Sequence, residues 1–536
     1  MAFKALTRWV LAGSVLVSGS CTPIGQQAVG SQGEQSANAS FDGTEARKVL
    51  AFGFNSILER HLDKATIGSA ALEGMQGLTA LDQSVLVERR GDLVLVKVEG
   101  TTTGSFGAPS DDDVDGWSRL VISVAQNAAT ASPVLGKLDA EGLYEAVFDA
   151  TLAKLDTFSR YSGAEEARKH RASRNGFGGI GIRFEIKDDA ATVTEVMPEA
   201  PASYAGLKVG DVITHVDGQA IAGLEQEAIS NRLRGQIASE LTMTVRVGGR
   251  GAIRDLAMRR ALVVPTTVTT EIRDGIVEAK VTGFNQRTAS SLAEALRDAR
   301  GHLGKRLRGV LLDLRGNPGG LLDQAVTMAD LFMSGGRIVS TRGRHALASQ
   351  VYDAVPGDMA EDLPLVVLVD GKSASASEIV AAALQDSGRA VVIGTNSYGK
   401  GTVQTVIRLP NEGEMTLTWS RFHSPSGYAL HGLGVLPTIC TADVDANPRG
   451  LLTAVSTGNA TVTANLAVWR SAAIDETELR SQLRSTCPSA KHADTAIDLD
   501  LARLLIGDPG LHARALSINA PIVAASQSSQ ALSRQH

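Results

Sequence analysis

Apolar and polar positions divide the chain into stretches of different period. Val366 to Val369 and Val391 to Gly394 are unbroken apolar runs bounded by turn residues, the pattern of strands buried on both faces. Gly309 to Leu314, interrupted only by Asp313, reads as a third buried strand, and Ile276 to Val281 as a further strand. Between them the period becomes helical: Ala289 to Ala299, Leu321 to Phe332, and the stretch from Glu378, where Ile379, Ala382, Ala383 and Leu384 are among the apolar positions. Strands and helices interleaved in this way predict an α/β (α+β) fold. Val403 to Leu409 and Met415 to Phe422 flank Pro410-Asn411-Glu412-Gly413 and predict a hairpin.

The flanking regions follow other patterns. Glu45 to Leu81 has helical spacing, with Val49, Phe52, Ile57, Leu58, Leu62, Leu72, Met75, Leu78 and Leu81. Val85 to Val87 and Leu93 to Val98 read as strands, and Gly104 to Gly116 as a Gly/Asp loop. Leu72–Asp82 and Leu143–Asp156 echo each other, both ending Leu-Asp; two copies do not make a solenoid. Beyond Ala442, apolar positions at Leu479, Leu483, Ile497, Leu501, Leu504 and Leu505 predict helices packed on the core.

The stretch Leu363 to Thr405 carries the candidate chemistry. It runs strand, Ser-Ala alternation (Ser373 to Ser377), helix, strand, then Gly399-Lys400-Gly401. A serine hydroxyl attacks only when a base takes its proton. Ser375 falls at the first turn of a helix, where free N–H groups and the positive dipole end face a developing oxyanion. A lysine serves as base only when its amine is neutral, which burial or a neighbouring cation brings about. Read alone, Ser375-Ala376-Ser377-Glu378 is better explained as a capping box, and Lys400 as a surface turn residue.

Ser373 to Ile379, Gly388-Arg389-Ala390 and Tyr398 to Gln404 together resemble the signature of the C-terminal processing (tail-specific) proteases, Ser/Lys-dyad peptidases. The resemblance spans about Leu143 to Ile439. It implies a ClpP/crotonase-like protease core with an inserted PDZ domain and a helical N-terminal region. It implies Ser375 as nucleophile, Lys400 as base, Gln404 helping to hold the lysine, and Asp386 in a supporting role. Asp313 to Gly320 matches the family's D-L-R-x-N-x-G-G loop, which implies an oxyanion hole from Gly320 and Ala376, with Gly319 the alternative to Gly320. Leu155 to Tyr161 resembles the L-D-P-x-S-x-Y segment, with Thr157 in place of proline.

Ala205 to Ile213 and Val216-Asp217-Gly218 resemble the family's PDZ signature. Phe177, Gly178, Gly179, Ile180 and Gly181 are then the peptide carboxylate-binding loop, and an adjacent strand edge would pair with the peptide backbone. Gly176 to Gly181 also fits G-x-G-x-x-G, but a dinucleotide site needs a helix next, and Ile182 to Ile186 alternates like a strand. The predicted divisions are 1–21 signal peptide, 22–40 flexible tether, 41–173 mainly helical N-terminal region, 174–262 PDZ domain, 263–441 protease core, 442–516 C-terminal helical region and 517–536 disordered tail.

Composition narrows the rest. A net charge of −6 offers no basic field for nucleic acid or anionic membrane. No Walker loop or H-E-x-x-H occurs, and the dyad mechanism needs neither metal nor organic cofactor. Lys4, Arg8, the apolar Trp9 to Val17 and small residues before Cys21 resemble an export signal with a lipoprotein site, departing at Ser18. That resemblance implies a protein exported to the periplasmic side of a bacterial envelope, with a lipid anchor at Cys21 one option. Export leaves Cys440 and Cys487 either as a disulfide or as two buried thiols. His423 and His431 read as loop residues with ordinary solvent contacts.

The expected partners are protein or peptide substrates held by their C-terminal tails. A regulatory adaptor and an oligomer are open options. The alternatives are a catalytically silent PDZ scaffold that binds tails and, more remotely, a crotonase-like acyl-CoA enzyme.

Overall fold

The computed structural model describes residues 42–187, 190–442, 448–457, 460–491 and 496–519. The expected signal peptide, the tether and the tail beyond residue 519 lie outside them. Among the described residues, three hydrophobic cores divide the chain into an N-terminal region, a PDZ domain and a protease core joined to the C-terminal helices.

The apolar runs become the central strands. The protease sheet has the order Val268–Arg273, Ile276–Val281, Gly309–Asp313, Leu365–Val369, Val391–Gly394, Ile439–Cys440. The first pair is antiparallel and the rest are parallel. Every residue of Gly309–Asp313 and Leu365–Val369 is buried, as expected of parallel strands covered on both faces. Leu292, Met328, Val380 and, from the C-terminal helix Ile497–Gly507, Leu501 and Leu505 join one core. That helix also supplies Asp498, fully buried, whose carboxylate meets the Arg315 guanidinium at 3.0 Å. Cys440 and Cys487 form a disulfide, which settles the alternative left open by their spacing.

The predicted hairpin forms from Thr402–Arg408 and Glu414–His423. It is shared, because Ile407, Leu409, Met415 and Leu417 belong to the N-terminal core. The short strand Arg160–Ser162 adds to it opposite Glu414–Thr416. The echo segments are packed helices, Ile67–Leu81 and Ala140–Leu155. A Cβ on Gly77 would lie 1.9 Å from the Ala146 carbonyl oxygen, so glycine permits the close approach.

Four expectations are corrected. The helical stretch from Glu45 is two helices, Gly43–Arg60 and Ile67–Leu81, separated where His61 turns inward to Asp63 and Asp156. The Gly104–Gly116 loop is shorter, since Thr101–Gly107 pairs with Leu93–Val98 as a third strand and a helix starts at Val114. Residues 517–519 end the helix Pro509–Asn519, with Ile518 and Asn519 buried. The boundary at 174 falls inside the helix Ala164–Asn175, which continues to the glycine that turns into the PDZ domain.

In the PDZ sheet, Ile182–Lys187 is an edge strand, so no helix follows the glycine-rich segment. Phe177–Gly179 is not an open loop: it pairs with Ala261–Val263, the strand that returns the chain to the core. Among the described residues, the N–H groups of Ile180 and Gly181 are left without hydrogen-bond partners.

Candidate active site

Two loops at the ends of the central strands are stitched together before any reactive group is placed. Asp370 Oδ1 accepts from the N–H groups of Gly316 (2.8 Å), Lys372 (3.0 Å) and Ser373 (3.1 Å). The Ser373 hydroxyl donates to the Leu314 carbonyl and the Ser377 hydroxyl to the Asn317 carbonyl. Both serines are fully buried, whereas Ser375 is partly exposed. The Ser-Ala alternation therefore contains two structural serines around one that faces outward.

Ser375 caps the helix Ala376–Asp386 with φ 56° and ψ −113°, a conformation that L residues avoid. The surroundings hold it there. Its N–H donates to Glu378 Oε2 at 2.7 Å. Glu378 is the capping-box acid read from the sequence, but it does more than cap. Its fully buried carboxylate also accepts from Ser397 Oγ, Gly399 N–H (2.6 Å) and Lys400 N–H (2.9 Å). Burial pushes this carboxyl up, against the hydrogen bonds that favour its charged form.

Lys400, whose N–H shares Glu378 Oε2 with that of Ser375, is half-buried. Gly401 beside it passes so close to His431 that a Cβ would fall 1.9 Å from the His431 nitrogen. Ser375 and Lys400 line one cavity of about 360 Å³, with Gly319, Gly320, Ala376 and Gln404. No hydrogen bond joins the Ser375 hydroxyl to the Lys400 amine. The amine stands 5.1 Å from the centre of the Phe158 ring. Burial is the main force holding its pKa below the ordinary lysine range, with the Arg160 charge acting in the same direction and Glu378 and Asp156 opposing.

Phe158 is positioned by Asp156. That carboxylate accepts from the Phe158 and Ser159 N–H groups, from the hydroxyls of Ser159 and Thr418, and from His61 Nε2 at 2.8 Å. These bonds outweigh burial and hold it far below the usual carboxylate range. In His61, burial opposes charging, but Asp156 and Asp63 together raise its pKa.

The remaining predicted residues separate. The Gly319 N–H is engaged by Asn317 Oδ1 at 2.8 Å. Among the described residues, the N–H groups of Gly320 and Ala376 have no partner, which favours Gly320 over Gly319 as a donor. The Gln404 amide donates to Thr402 Oγ1 at 2.8 Å, and no hydrogen bond joins it to Lys400. Asp386 is away from the cleft. It accepts from Arg470 and from Ser426, tying the helix end to its neighbours. His423 and His431 are not ordinary solvent-facing residues: each has a buried, unpartnered Nδ1, and burial lowers both pKa values.

The second site is the PDZ groove, between the edge strand and the helix Gln226–Leu233. Phe177, Ile180, Ile182, Phe184, Leu233 and Arg234 line it. The Arg234 guanidinium lies 4.3 Å over the Phe177 ring. Arg234 was invisible to a reading of the glycine segment alone, since it follows the helix some fifty residues on. Phe158 and Arg160 were likewise passed over, although the L-D-T-F-S-R-Y segment contains both.

A serine set on a strained turn beside a half-buried lysine, with a peptide-binding module attached, defines a serine peptidase of the PDZ-containing kind. Residues 276–441 match the family model of peptidase family S41 and residues 178–251 that of the PDZ domain. A carboxy-terminal-processing protease of Bartonella bacilliformis is 38% identical over 56% of this chain and 70% of that protein. A probable CtpA-like serine protease of Staphylococcus aureus is 32% identical over 56% of this chain and 61% of that protein. The solved photosystem II D1 C-terminal processing protease is 22% identical, covering 73% of this chain and 92% of that one, with a TM-score of 0.37. The chain belongs to the carboxy-terminal processing proteases of family S41 and is a serine-type peptidase with a PDZ domain.

Proposed function

We propose that the protein is an exported endopeptidase that docks the C-terminal tails of its substrates in the PDZ groove and cuts them with Ser375 and Lys400. The observation that carries this reading is the shared cleft: Ser375 on its strained cap and the half-buried Lys400 amine line one cavity. The neutral Lys400 amine takes the Ser375 proton as the hydroxyl attacks the peptide carbonyl. The N–H groups of Gly320 and Ala376 receive the oxyanion. Lys400 then protonates the leaving amine, and water hydrolyses the acyl-enzyme. The side chains of Ser375 and Lys400 must close up on substrate binding, since they are not hydrogen-bonded here.

The groove residues support tail capture. The free N–H groups of Ile180 and Gly181 suit a terminal carboxylate, Arg234 adds a cation, and the edge of Ile182–Lys187 offers a peptide its backbone bonds. Export fits the disulfide, which an oxidising compartment would sustain.

The test uses purified full-length chain and an unfolded protein substrate. Ser375→Ala and Lys400→Ala should each abolish fragments seen by mass spectrometry while circular dichroism stays unchanged. Undiminished cleavage by Ser375→Ala removes the dyad. Tail binding by the wild type without turnover would favour the silent scaffold instead.

A further inference from the structure

Resting on that reading, we infer that the cleft selects substrates with an acidic side chain close to the bond to be cut, and that Arg160 reads it. The cavity around Ser375 is lined by three charged side chains, Lys400, Arg174 and Arg160, and by no carboxylate. Two of the three are committed. Arg174 is held by both oxygens of Glu414, at 2.8 and 2.9 Å. Lys400 is the proposed base. Arg160 alone is exposed and has no ion pair among the described residues.

Its place is fixed by strand pairing rather than by a loose loop. Arg160 opens the strand Arg160–Ser162 and stands opposite Thr416, which stands opposite Val406. Thr416 and Val406 line the same cavity. A guanidinium on that floor presents a planar fork of donors that matches a carboxylate. A peptide threaded past Ser375 advances about 3.3 Å per residue when extended. Arg160 and Ser375 line one cavity, which puts the glutamate or aspartate that meets Arg160 within about three residues of the scissile bond. A lysine in the same place would face the Arg160 guanidinium, which has no ion pair among the described residues to offset it.

The substrate's terminal carboxylate offers the same chemistry, but the PDZ groove is built to take it. The recognised group is therefore a side chain.

The experiment begins with the fastest bond cut in unfolded casein, found by mass spectrometry. Peptides spanning that bond carry Glu, Gln or Lys at each of three positions on either side, each with a free or an amidated C-terminus. kcat/KM is measured for the wild type, Arg160→Gln and Arg160→Glu. Comparing peptides within one enzyme cancels any change that the substitution makes to Lys400. At one position the wild type should prefer Glu over Lys by about tenfold, equivalent to about 1.4 kcal/mol. The preference should shrink in Arg160→Gln and reverse in Arg160→Glu. A Glu/Lys ratio near one everywhere in the wild type overturns the proposal. So does a ratio unchanged in Arg160→Glu, or one that follows the amidated terminus. Cleavage that persists in Ser375→Ala defeats the dyad, yet leaves the Glu/Lys ratio still able to decide the role of Arg160.

Discussion

The backbone N–H groups of Ser375 and Lys400 donate to the same oxygen, Glu378 Oε2, at 2.7 and 2.9 Å. The residues are 25 apart in sequence, and one buried carboxylate fixes the separation of their main chains. Glu378→Gln replaces an acceptor-only group by one whose amide must turn donors toward N–H donors. We expect kcat/KM to fall at least about a hundredfold, as for loss of a catalytic hydrogen bond. Circular dichroism should stay native. A variant retaining full activity would show that the anchoring is dispensable.

As the proposed base, Lys400 would act only when neutral, so activity should rise with pH through a Lys400 pKa below 10.5. Arg160 pushes that pKa down, while Glu378 and Asp156 push it up. Arg160→Gln should therefore move the rising limb of the pH–rate profile to higher pH. A limb that stays in place, or moves down, contradicts the electrostatics.

Gly319 has φ 105°, and a Cβ there would lie 2.9 Å from Ser375 Cβ and 3.0 Å from the Ala376 nitrogen. Gly319→Ala should push the capping turn away from its place beside the candidate oxyanion donors. The expected cost is about 1–3 kcal/mol of stability from overpacking, read by thermal denaturation, together with loss of cleavage.

The His61–Asp156 pair makes stability depend on pH. His61 has a raised pKa when folded, so its contribution is complete below the unfolded value of 6.5 and disappears as pH rises through the folded value. Asp156 has a lowered pKa, so its contribution is complete above 3.8 and is lost in stronger acid. The pair stabilises most between those two pH values. His61→Gln should cost about 2 kcal/mol there, as for a hydrogen bond to a charged group. The difference from wild type should narrow as pH rises above 6.5 in denaturant titrations.

Reduction of Cys440–Cys487 reopens a loop with a sequence separation of 47, worth about 4 kcal/mol on chain-entropy grounds. The melting temperature should fall in reductant, and Cys440→Ser should melt at the same lowered temperature with or without it.

The core strands were legible because buried parallel strands write themselves as unbroken apolar runs, as at Leu365–Val369. The motifs singled out Ser375 and Lys400, and the structure brings the two to one cavity. Glu378 was read as a cap because one short motif describes a local helix start, while its bonds to Ser397, Gly399 and Lys400 need the tertiary fold. His61 and Asp156 are 95 residues apart, so neither announces the other. The strand Thr101–Gly107 was missed because glycines interrupt it and most of it is not buried, leaving no alternating pattern.

The Arg315–Asp498 pair joins the strand end that leads into the Gly319–Gly320 turn to a helix lying well beyond residue 441, where the family match stops. A recombinant fragment trimmed to that limit would strip a buried guanidinium of this counter-ion and uncover the sheet beneath. The helices described between residues 448 and 519 are therefore no detachable appendage. Domain swaps or minimal expression boundaries for this enzyme must carry them through Asn519.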